Sequence, residues 1–327
     1  MIIDFSTHVL PQRTFRMIDA MPQRFGAMTR EIQGVRALYD MEERFRQLDR
    51  VPEHLQVISL ASPALEEIAT PEQIRHIVPL ANDEMAELVA MHPDRFVGFL
   101  ASLSLDDVNW SLREMERAFD QLGAAGIQLS TQIRDTPLDD PRFEPVFEML
   151  ARRDKPLFLH PARPPGLADF PGEKGSLFGV GQVIGWPYLT SVLMWRIICR
   201  GIFDRHPGLK IVTHHLGGMI PYQSARMEEM LQYELDALDE GRRREGLAGF
   251  RHTSGEYLRM FYGDTSMQGS VEPVRCGISF FGVPKVVFGS DMPFSSVGDT
   301  LDGLAKLGLD ARSYSAIAGE NALRLIA

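Results

Sequence analysis

The stretch Pro156-Leu157-Phe158-Leu159-His160 is a short, unbroken apolar run that ends in a histidine. Unbroken runs of this length are typical of parallel strands that are covered on both faces. Similar runs recur along the chain, and together with this one they predict eight strands. The other seven lie at residues 2–5, 55–60, 96–101, 126–130, 210–214, 260–263 and 286–289.

Segments with helical periodicity separate these runs, at residues 71–92, 106–122, 141–153, 187–205 and 220–240. The first of them has Thr70 as its N-cap and Pro71 at its first helical position, both common at helix starts. Strands that alternate with helices predict a single α/β domain over residues 1–327, folded as a (β/α)8 TIM barrel. The alternative is an open, doubly wound sheet, which is less favoured because no dinucleotide-binding loop follows a strand.

Two segments interrupt the alternation of strands and helices. Residues 9–50 are too long for a simple connection after the first strand and predict a small helical cap inserted there. Residues 161–186 are rich in proline and glycine and follow the fifth strand directly. Loops after barrel strands build the active site, so we expect an active-site loop at 161–186.

The composition excludes several classes of partner. Lys and Arg number 34 and Asp and Glu number 44 among 327 residues, which gives a net charge of −10. This acidity argues against nucleic acid and against an anionic membrane surface, because both need a basic face. The two cysteines, Cys199 and Cys276, cannot build a disulfide framework, and no signal peptide or membrane-spanning run is visible. We therefore expect a cytoplasmic protein.

Histidine or aspartate stands at the end of four predicted strands. The residues are His8, His160, the pair His214-His215, and Asp291. A barrel brings the carboxyl ends of its strands to one mouth, so these side chains are expected to converge. Neutral imidazoles and a carboxylate can hold a divalent ion and leave a position open for water or substrate. For any one histidine taken alone, a hydrogen-bonded structural role is the alternative.

The motifs around these residues resemble those of one known family, the amidohydrolase-related proteins typified by aminocarboxymuconate-semialdehyde decarboxylase. It includes the metal-dependent decarboxylases of aromatic acids such as γ-resorcylate and 5-carboxyvanillate. The motifs are Asp-x-x-x-His at 4–8, His-Pro at 160–161, His-x-Gly-Gly at 215–218 and Gly-Ser-Asp-x-Pro at 289–293. The resemblance covers nearly the whole chain and implies a TIM barrel with one divalent ion, zinc or manganese.

The resemblance assigns roles to particular residues. It implies that His8 and His160 are metal ligands and that Asp291 both binds the metal and moves protons. His215 resembles the family's histidine after the sixth strand, which acts as an acid and base or polarises a carbonyl. We favour His215 over His214, because adjacent residues of a strand point to opposite faces.

Ser6 departs from the family pattern, which usually has histidine or glutamate two residues before His8. A serine hydroxyl is a much poorer ligand than imidazole or carboxylate. Three outcomes stay open: His8, His160 and Asp291 hold the metal alone with water in the gap, the metal binds weakly, or the protein has lost it.

Other residues are candidates for binding the substrate. Arg226 resembles a family arginine that reaches a substrate carboxylate, although a helix-surface charge is an equal alternative. Trp186, at the end of the long loop, can stack on a planar substrate or simply pack. Arg163 on the same loop is a further candidate contact for an anion. Asp264, after the seventh strand, either orients a neighbour by hydrogen bonding or caps a turn.

These assignments predict a non-oxidative decarboxylase, a carbon–carbon lyase acting on a small aromatic or conjugated carboxylic acid. The alternative is a metal-dependent hydrolase of a lactone or cyclic amide, since the same groups can activate water. A metal-free binding protein on an enzyme scaffold is a third class. The expected partner is a small-molecule carboxylic acid, and the Met and Tyr residues of 220–240 would suit a homodimer.

Overall fold

Eight parallel strands form one sheet in the computed structural model, which describes residues 1–51, 53–164, 166–237 and 251–327. Each strand pairs with the next one along the chain. The strands are β1 (Ile2–Val9), β2 (His54–Leu60), β3 (Phe96–Ser102), β4 (Gly126–Ser130), β5 (Leu157–His160), β6 (Ile211–Thr213), β7 (Tyr262–Asp264) and β8 (Val286–Val287).

Backbone hydrogen bonds between β1 and the chain at and after β8 close the sheet into a barrel. Phe5 N donates to Phe288 O and Asp291 N donates to Ser6 O, both at 2.9 Å. An apolar cluster that includes Phe5, Phe158 and residues of the other strands fills the interior. The predicted (β/α)8 barrel is confirmed, and its eight runs match the eight strands to within a few residues.

A bulge in β1 sets the direction of His8. The register of β1 against β2 shifts between Asp4 and Thr7, so one extra residue is accommodated there. Ile3 and Phe5 point into the interior cluster before the shift, and His8 points inward after it. Bulges commonly re-aim a side chain next to a functional site.

Helices cover the outside of the barrel, and their starts follow local sequence signals. Thr70 accepts a hydrogen bond from Gln73 N at the start of the helix Pro71–Met91, as its predicted N-cap role requires. The prediction 220–240 corresponds to the helix Ile220–Ala237, and residues 238–240 lie outside the described residues. The other α-helices are Gln12–Asp19, Thr29–Gly34, Met41–Leu48, Leu65–Ile68, Val108–Asp120, Glu144–Arg153, Val180–Val183, Gly185–Cys199, Ile202–Arg205, Ser254–Leu258, Val271–Phe281, Val297–Lys306, Ala311–Ser315 and Asn321–Ile326.

Short helices lie between β1 and β2, where the sequence predicted a helical cap. The buried Arg44 side chain fastens this segment to the barrel: Nη1 donates to His8 O at 2.7 Å, and Nε donates to Gln56 Oε1 at 2.9 Å. The cap is therefore bonded to the strand that carries His8.

The long segment after β5 is less irregular than predicted. It ends in the short helix Val180–Val183, and the next helix, Gly185–Cys199, already contains Trp186 in its first turn. Trp186 is thus a helical residue and does not end the loop. Among the described residues, no helix combines the length and apolar character needed to cross a membrane.

Candidate metal centre and catalytic site

Three histidines from three strands meet at the carboxyl end of the barrel. His8 lies near the end of β1, His160 is the last residue of β5, and His214 follows β6. Their ring centroids are 5.2 Å (His8–His160), 5.2 Å (His160–His214) and 5.8 Å (His8–His214) apart. One ring nitrogen from each lies within 4.8 Å of the others, so a single ion could contact all three.

Asp291 adds a carboxylate to this group. Its Oδ1 lies 3.3 Å from His8 Nε2 and 3.5 Å from His214 Nε2, and its Oδ2 lies 4.0 Å from His215 Nε2. Burial opposes ionisation, but the interactions with His214 and His8 outweigh it and lower the pKa of Asp291. The carboxylate is therefore ionised at neutral pH and can accept a cation or a proton.

A second carboxylate fixes the loop that carries Asp291. Asp4 Oδ1 accepts a hydrogen bond from Ser290 N at 2.9 Å, and its Oδ2 accepts one from Ser290 Oγ at 2.5 Å. Asp291 itself has φ of 65°, in the left-handed region that aspartate tolerates better than most residues. Asp4 thus holds this loop through Ser290, the neighbour of Asp291.

The prediction that His214 points away from the site is wrong. His214 is 1 % exposed and faces His8 and His160, while its ring also lies 3.7 Å from that of His215. The rule of alternating faces does not apply here because β6 ends at Thr213. His215 and Leu216 then adopt left-handed backbone conformations, with φ of 52° and 50°, and the turn places both histidines at the mouth.

Asp264 combines the two roles that the sequence left open. Its Oδ2 accepts a hydrogen bond from His214 Nδ1 at 2.5 Å, and its Oδ1 accepts bonds from His215 N at 2.8 Å and Ser266 N at 3.2 Å. It therefore orients His214 and shapes the turn. Burial lowers the pKa of His214, but Asp264 and Asp291 more than compensate and raise it to about 10 when no metal is bound.

His215 has the opposite electrostatic environment. Burial, followed by the neighbouring charge of His214, lowers the pKa of His215 to about 4. Its imidazole is therefore neutral at neutral pH and can accept a proton. Its Nδ1 is buried and has no hydrogen-bond partner among the residues that the structure describes.

The donor atoms fit a divalent ion. His8 Nε2 is buried, faces the group and has no hydrogen-bond partner of good geometry within the described part of the chain. Burial lowers the pKa of His160 well below its usual value, which keeps that imidazole neutral and able to bind a cation. The predicted ligands His8 and His160 thus lie in one group with His214, and the predicted ligand Asp291 lies 3.3 Å from His8 Nε2, so the site offers nitrogen and oxygen donors of the kind that zinc and manganese accept. Their role as ligands stays a prediction.

Ser6 lies behind this group. It is fully buried, and its Oγ is 3.2 Å from His214 Nδ1, on the side of the ring that faces Asp264. The hydroxyl therefore contacts a histidine of the group, at the nitrogen that already bonds to Asp264.

The three predicted substrate contacts are placed differently. The Trp186 ring lies 5.6 Å from the His160 ring at an angle of 75°, so it borders the site. Arg163 is bonded to Asp169 at 2.7 Å and to loop carbonyls, so binding an anion would compete with these bonds. Arg226 is exposed on the helix Ile220–Ala237.

Sequence reasoning missed a polar cleft beside His160. The cleft has a volume of about 30 Å³, and Ser62, Glu66, Gln128 and Ser130 are among its lining residues. Burial raises the pKa of Glu66, and its Oε1 has no hydrogen-bond partner among the described residues. The position of Glu66 in the segment that follows β2 was the available signal, because such segments border the mouth of the barrel.

Comparison with known proteins shows the family to which this chain belongs. The family described as Amidohydrolase matches residues 3–327. The chain belongs to this family. This member of the family is also 27 % identical over 267 residues to 2-amino-3-carboxymuconate-6-semialdehyde decarboxylase of Dictyostelium discoideum. The alignment covers 81 % of the present chain and 69 % of the Dictyostelium protein. The resemblance inferred from the four motifs is confirmed.

Solved structures of decarboxylases share the fold. The 5-carboxyvanillate decarboxylase of Sphingomonas paucimobilis matches with a TM-score of 0.86 and 25 % identity, over 99 % of this chain and 98 % of that one. A dihydroxybenzoic acid decarboxylase from Polaromonas, solved with manganese and the inhibitor 2-nitroresorcinol, matches with a TM-score of 0.82 and 24 % identity, over 99 % and 96 % of the two chains. All three similar proteins are decarboxylases by name, so lactone hydrolysis is not favoured for this amidohydrolase-family member.

Proposed function

We propose that this protein is a metal-dependent, non-oxidative decarboxylase, a lyase that acts on a small aromatic or conjugated carboxylic acid. The observation that carries the proposal is the position of Asp291, between His8 and His214 on one side and His215 on the other. A carboxylate there can bind a cation through one oxygen and exchange a proton with His215 through the other.

The reaction breaks one carbon–carbon bond. The electron pair of that bond stays on the substrate carbon as carbon dioxide leaves, and a proton must then form a carbon–hydrogen bond at the same carbon. A divalent ion held by His8, His160 and Asp291 would supply Lewis acidity that stabilises the developing negative charge. Zinc and manganese both suit this donor set, and the manganese of the Polaromonas decarboxylase supports testing manganese first.

Asp291 and His215 are placed to move the proton. The 4.0 Å between Asp291 Oδ2 and His215 Nε2 is longer than a hydrogen bond, so a proton would pass between them through one bridging water. Because His215 is neutral at neutral pH, it can take the proton that Asp291 collects from the substrate hydroxyl or carboxyl group. The pair can then return the proton to the carbon.

Side chains at the rim would position the substrate. Trp186 offers an aromatic face beside His160, which suits a planar ring. Arg226 is the proposed partner of the substrate's remaining anion, with Arg163 as an additional contact if its bond to Asp169 opens. These roles support an aromatic acid over an aliphatic one.

We further infer a cytoplasmic protein that forms a homodimer. Free cysteines at positions 199 and 276 suit a reducing compartment. Tyr222 and Tyr233 are 84 % and 61 % exposed on the helix Ile220–Ala237, and large exposed aromatic side chains favour an interface.

The test is a substrate panel assayed for carbon dioxide release. Protein reconstituted with manganese, and separately with zinc, is offered 5-carboxyvanillate, 2,6-dihydroxybenzoate and related hydroxybenzoic acids, with lactones as the comparison. We expect release of carbon dioxide from at least one aromatic acid and its loss in His160→Ala. Ring opening of a lactone without decarboxylation of any acid would contradict the proposal.

A further inference from the structure

Compared with the family pattern, the site lacks a ligand at position 6, where Ser6 stands. It also contains one imidazole that the sequence analysis did not predict there, that of His214. The side chains of these two residues are in contact. Ser6 Oγ lies 3.2 Å from His214 Nδ1. We propose that His214 replaces the ligand missing from position 6, so that His8, His160, His214 and Asp291 together hold the ion. The inference rests on the proposed function only in placing a divalent ion at this mouth.

Hydrogen bonds place a proton on Nδ1 of all three imidazoles. His160 Nδ1 lies 2.8 Å from Pro161 O, and a carbonyl oxygen can only accept, so Nδ1 carries the proton. Ser59 Oγ donates to Thr7 O at 3.0 Å, so towards His8 Nδ1, 3.2 Å away, it acts as acceptor. His8 therefore also carries its proton on Nδ1, and both histidines present a lone pair on Nε2.

His214 follows the same pattern with a stronger partner. Its Nδ1 lies 2.5 Å from Asp264 Oδ2, so Nδ1 donates to that carboxylate. Histidine ligands of metals usually donate their other ring proton to a carboxylate or backbone carbonyl, which fixes the tautomer and orients the ring. Nε2 of His214 then faces the group, 3.5 Å from Asp291 Oδ1, where a ligand nitrogen would be needed.

The small side chain at position 6 leaves room for this arrangement. Ser6 is fully buried, and a Cβ atom on Gly289 would lie only 2.7 Å from the Ser6 Cβ. The backbone of β1 is therefore pressed against the chain after β8. A histidine or glutamate at position 6 would extend into the space that the His214 ring now fills.

The donor set that results is three imidazoles and one carboxylate. Four ligands of these types satisfy a tetrahedral zinc ion and leave positions for substrate on a larger or six-coordinate ion such as manganese. This set includes His214, which the sequence analysis predicted to point away from the site. It needs no ligand from Ser6. The competing arrangement is a protonated His214 that only forms ion pairs with Asp264 and Asp291.

Metal affinity of the metal-free protein, measured by chelator competition with Zn²⁺ and Mn²⁺, tests the proposal without any assay of turnover. We expect His214→Asn to weaken binding at least about 100-fold, as loss of a direct ligand should exceed the 10- to 100-fold typical of an orienting residue. Ser6→Ala is the matched control and should keep its affinity within about threefold. Unchanged affinity in His214→Asn, with binding lost in His160→Ala, would overturn the role of His214 and leave the proposed function standing. Unchanged affinity in both variants would overturn the metal site itself.

X-ray absorption at the zinc edge of the unmutated protein provides a readout that does not depend on a variant folding. The fine structure counts bound imidazoles. We expect three, from His8, His160 and His214, whereas a count of two would overturn the proposal.

Discussion

Asp264 Oδ2 lies 2.5 Å from His214 Nδ1, and both residues are almost completely buried. The contact joins the end of β7 to the residue after β6, and it sets which nitrogen of His214 faces the other histidines. A carboxylate placed behind an imidazole in this way also raises the basicity of the ring. The affinity of the site for a cation should therefore depend on a residue that does not belong to the donor set.

Replacing Asp264 with asparagine should weaken metal binding by about 10- to 100-fold, because His214 would lose its charged acceptor and the constraint on its ring. Chelator competition with Zn²⁺ measures this change. Asp302→Asn, at an exposed helical position, is the control and should bind zinc like the unmutated protein. Equal affinities in the two variants would mean that Asp264 only shapes the turn.

The barrel could be predicted because its strands are covered on both faces, which leaves unbroken apolar runs such as Leu157–His160 in the sequence. The first strand was harder to delimit. Its second half contains Ser6 and Thr7 and continues to Val9, well past the predicted end at residue 5. Polar residues can occupy this part of the strand because Ser6 faces the site and Thr7 donates a hydrogen bond to Val57 O.

The approach of His160 and of Asp291 to His8 was also predictable, since all three lie at or after the ends of strands of one barrel. The place of His214 was not, because it depends on positive φ angles at His215 and Leu216 that non-glycine residues seldom adopt. The glycines at 217 and 218 were the available hint of an unusual turn. Arg44 gave no signal either, because arginine is rarely buried without a carboxylate partner.

Arg44 should contribute strongly to stability through the polar atoms it satisfies. Burial lowers the pKa of Arg44 to about 9, so it is still charged at neutral pH. Arg44→Met would leave His8 O and Gln56 Oε1 without this donor, and each unsatisfied buried group costs about 1–3 kcal/mol. We expect the free energy of unfolding in urea to fall by about 3 kcal/mol.

The control for this change is Arg46→Met, since the Arg46 side chain is 64 % exposed on the same helix, Met41–Leu48. It should change the free energy of unfolding by no more than about 0.5 kcal/mol. If Arg44→Met lowers the free energy of unfolding by as little as this, water or relaxed neighbouring groups must donate to His8 O and Gln56 Oε1 in its place.

Asp291→Asn should abolish proton transfer while keeping the barrel. An amide can neither take nor return the proton, so turnover should fall at least about 100-fold. Initial rates of carbon dioxide release measure the loss, and circular dichroism with a thermal melt verifies the fold. A correctly folded Asp291→Asn variant with near-normal turnover would remove Asp291 from the chemistry.

Gly289 should be intolerant of a methyl group because residues of β1 and β7 pack closely against it. A Cβ atom there would lie 2.7 Å from Ser6 Cβ and 2.9 Å from Asp264 Cβ, closer than real contacts allow. Gly289→Ala should therefore cost about 1–3 kcal/mol of stability. It should also weaken zinc binding, because the displaced neighbours support His214 and Asp291. Gly172→Ala is the matched control, since a Cβ at Gly172 would meet nothing within 4 Å. If both alanine variants melt at the same temperature as the unmutated protein, β1 and the chain after β8 are less tightly packed than these distances require.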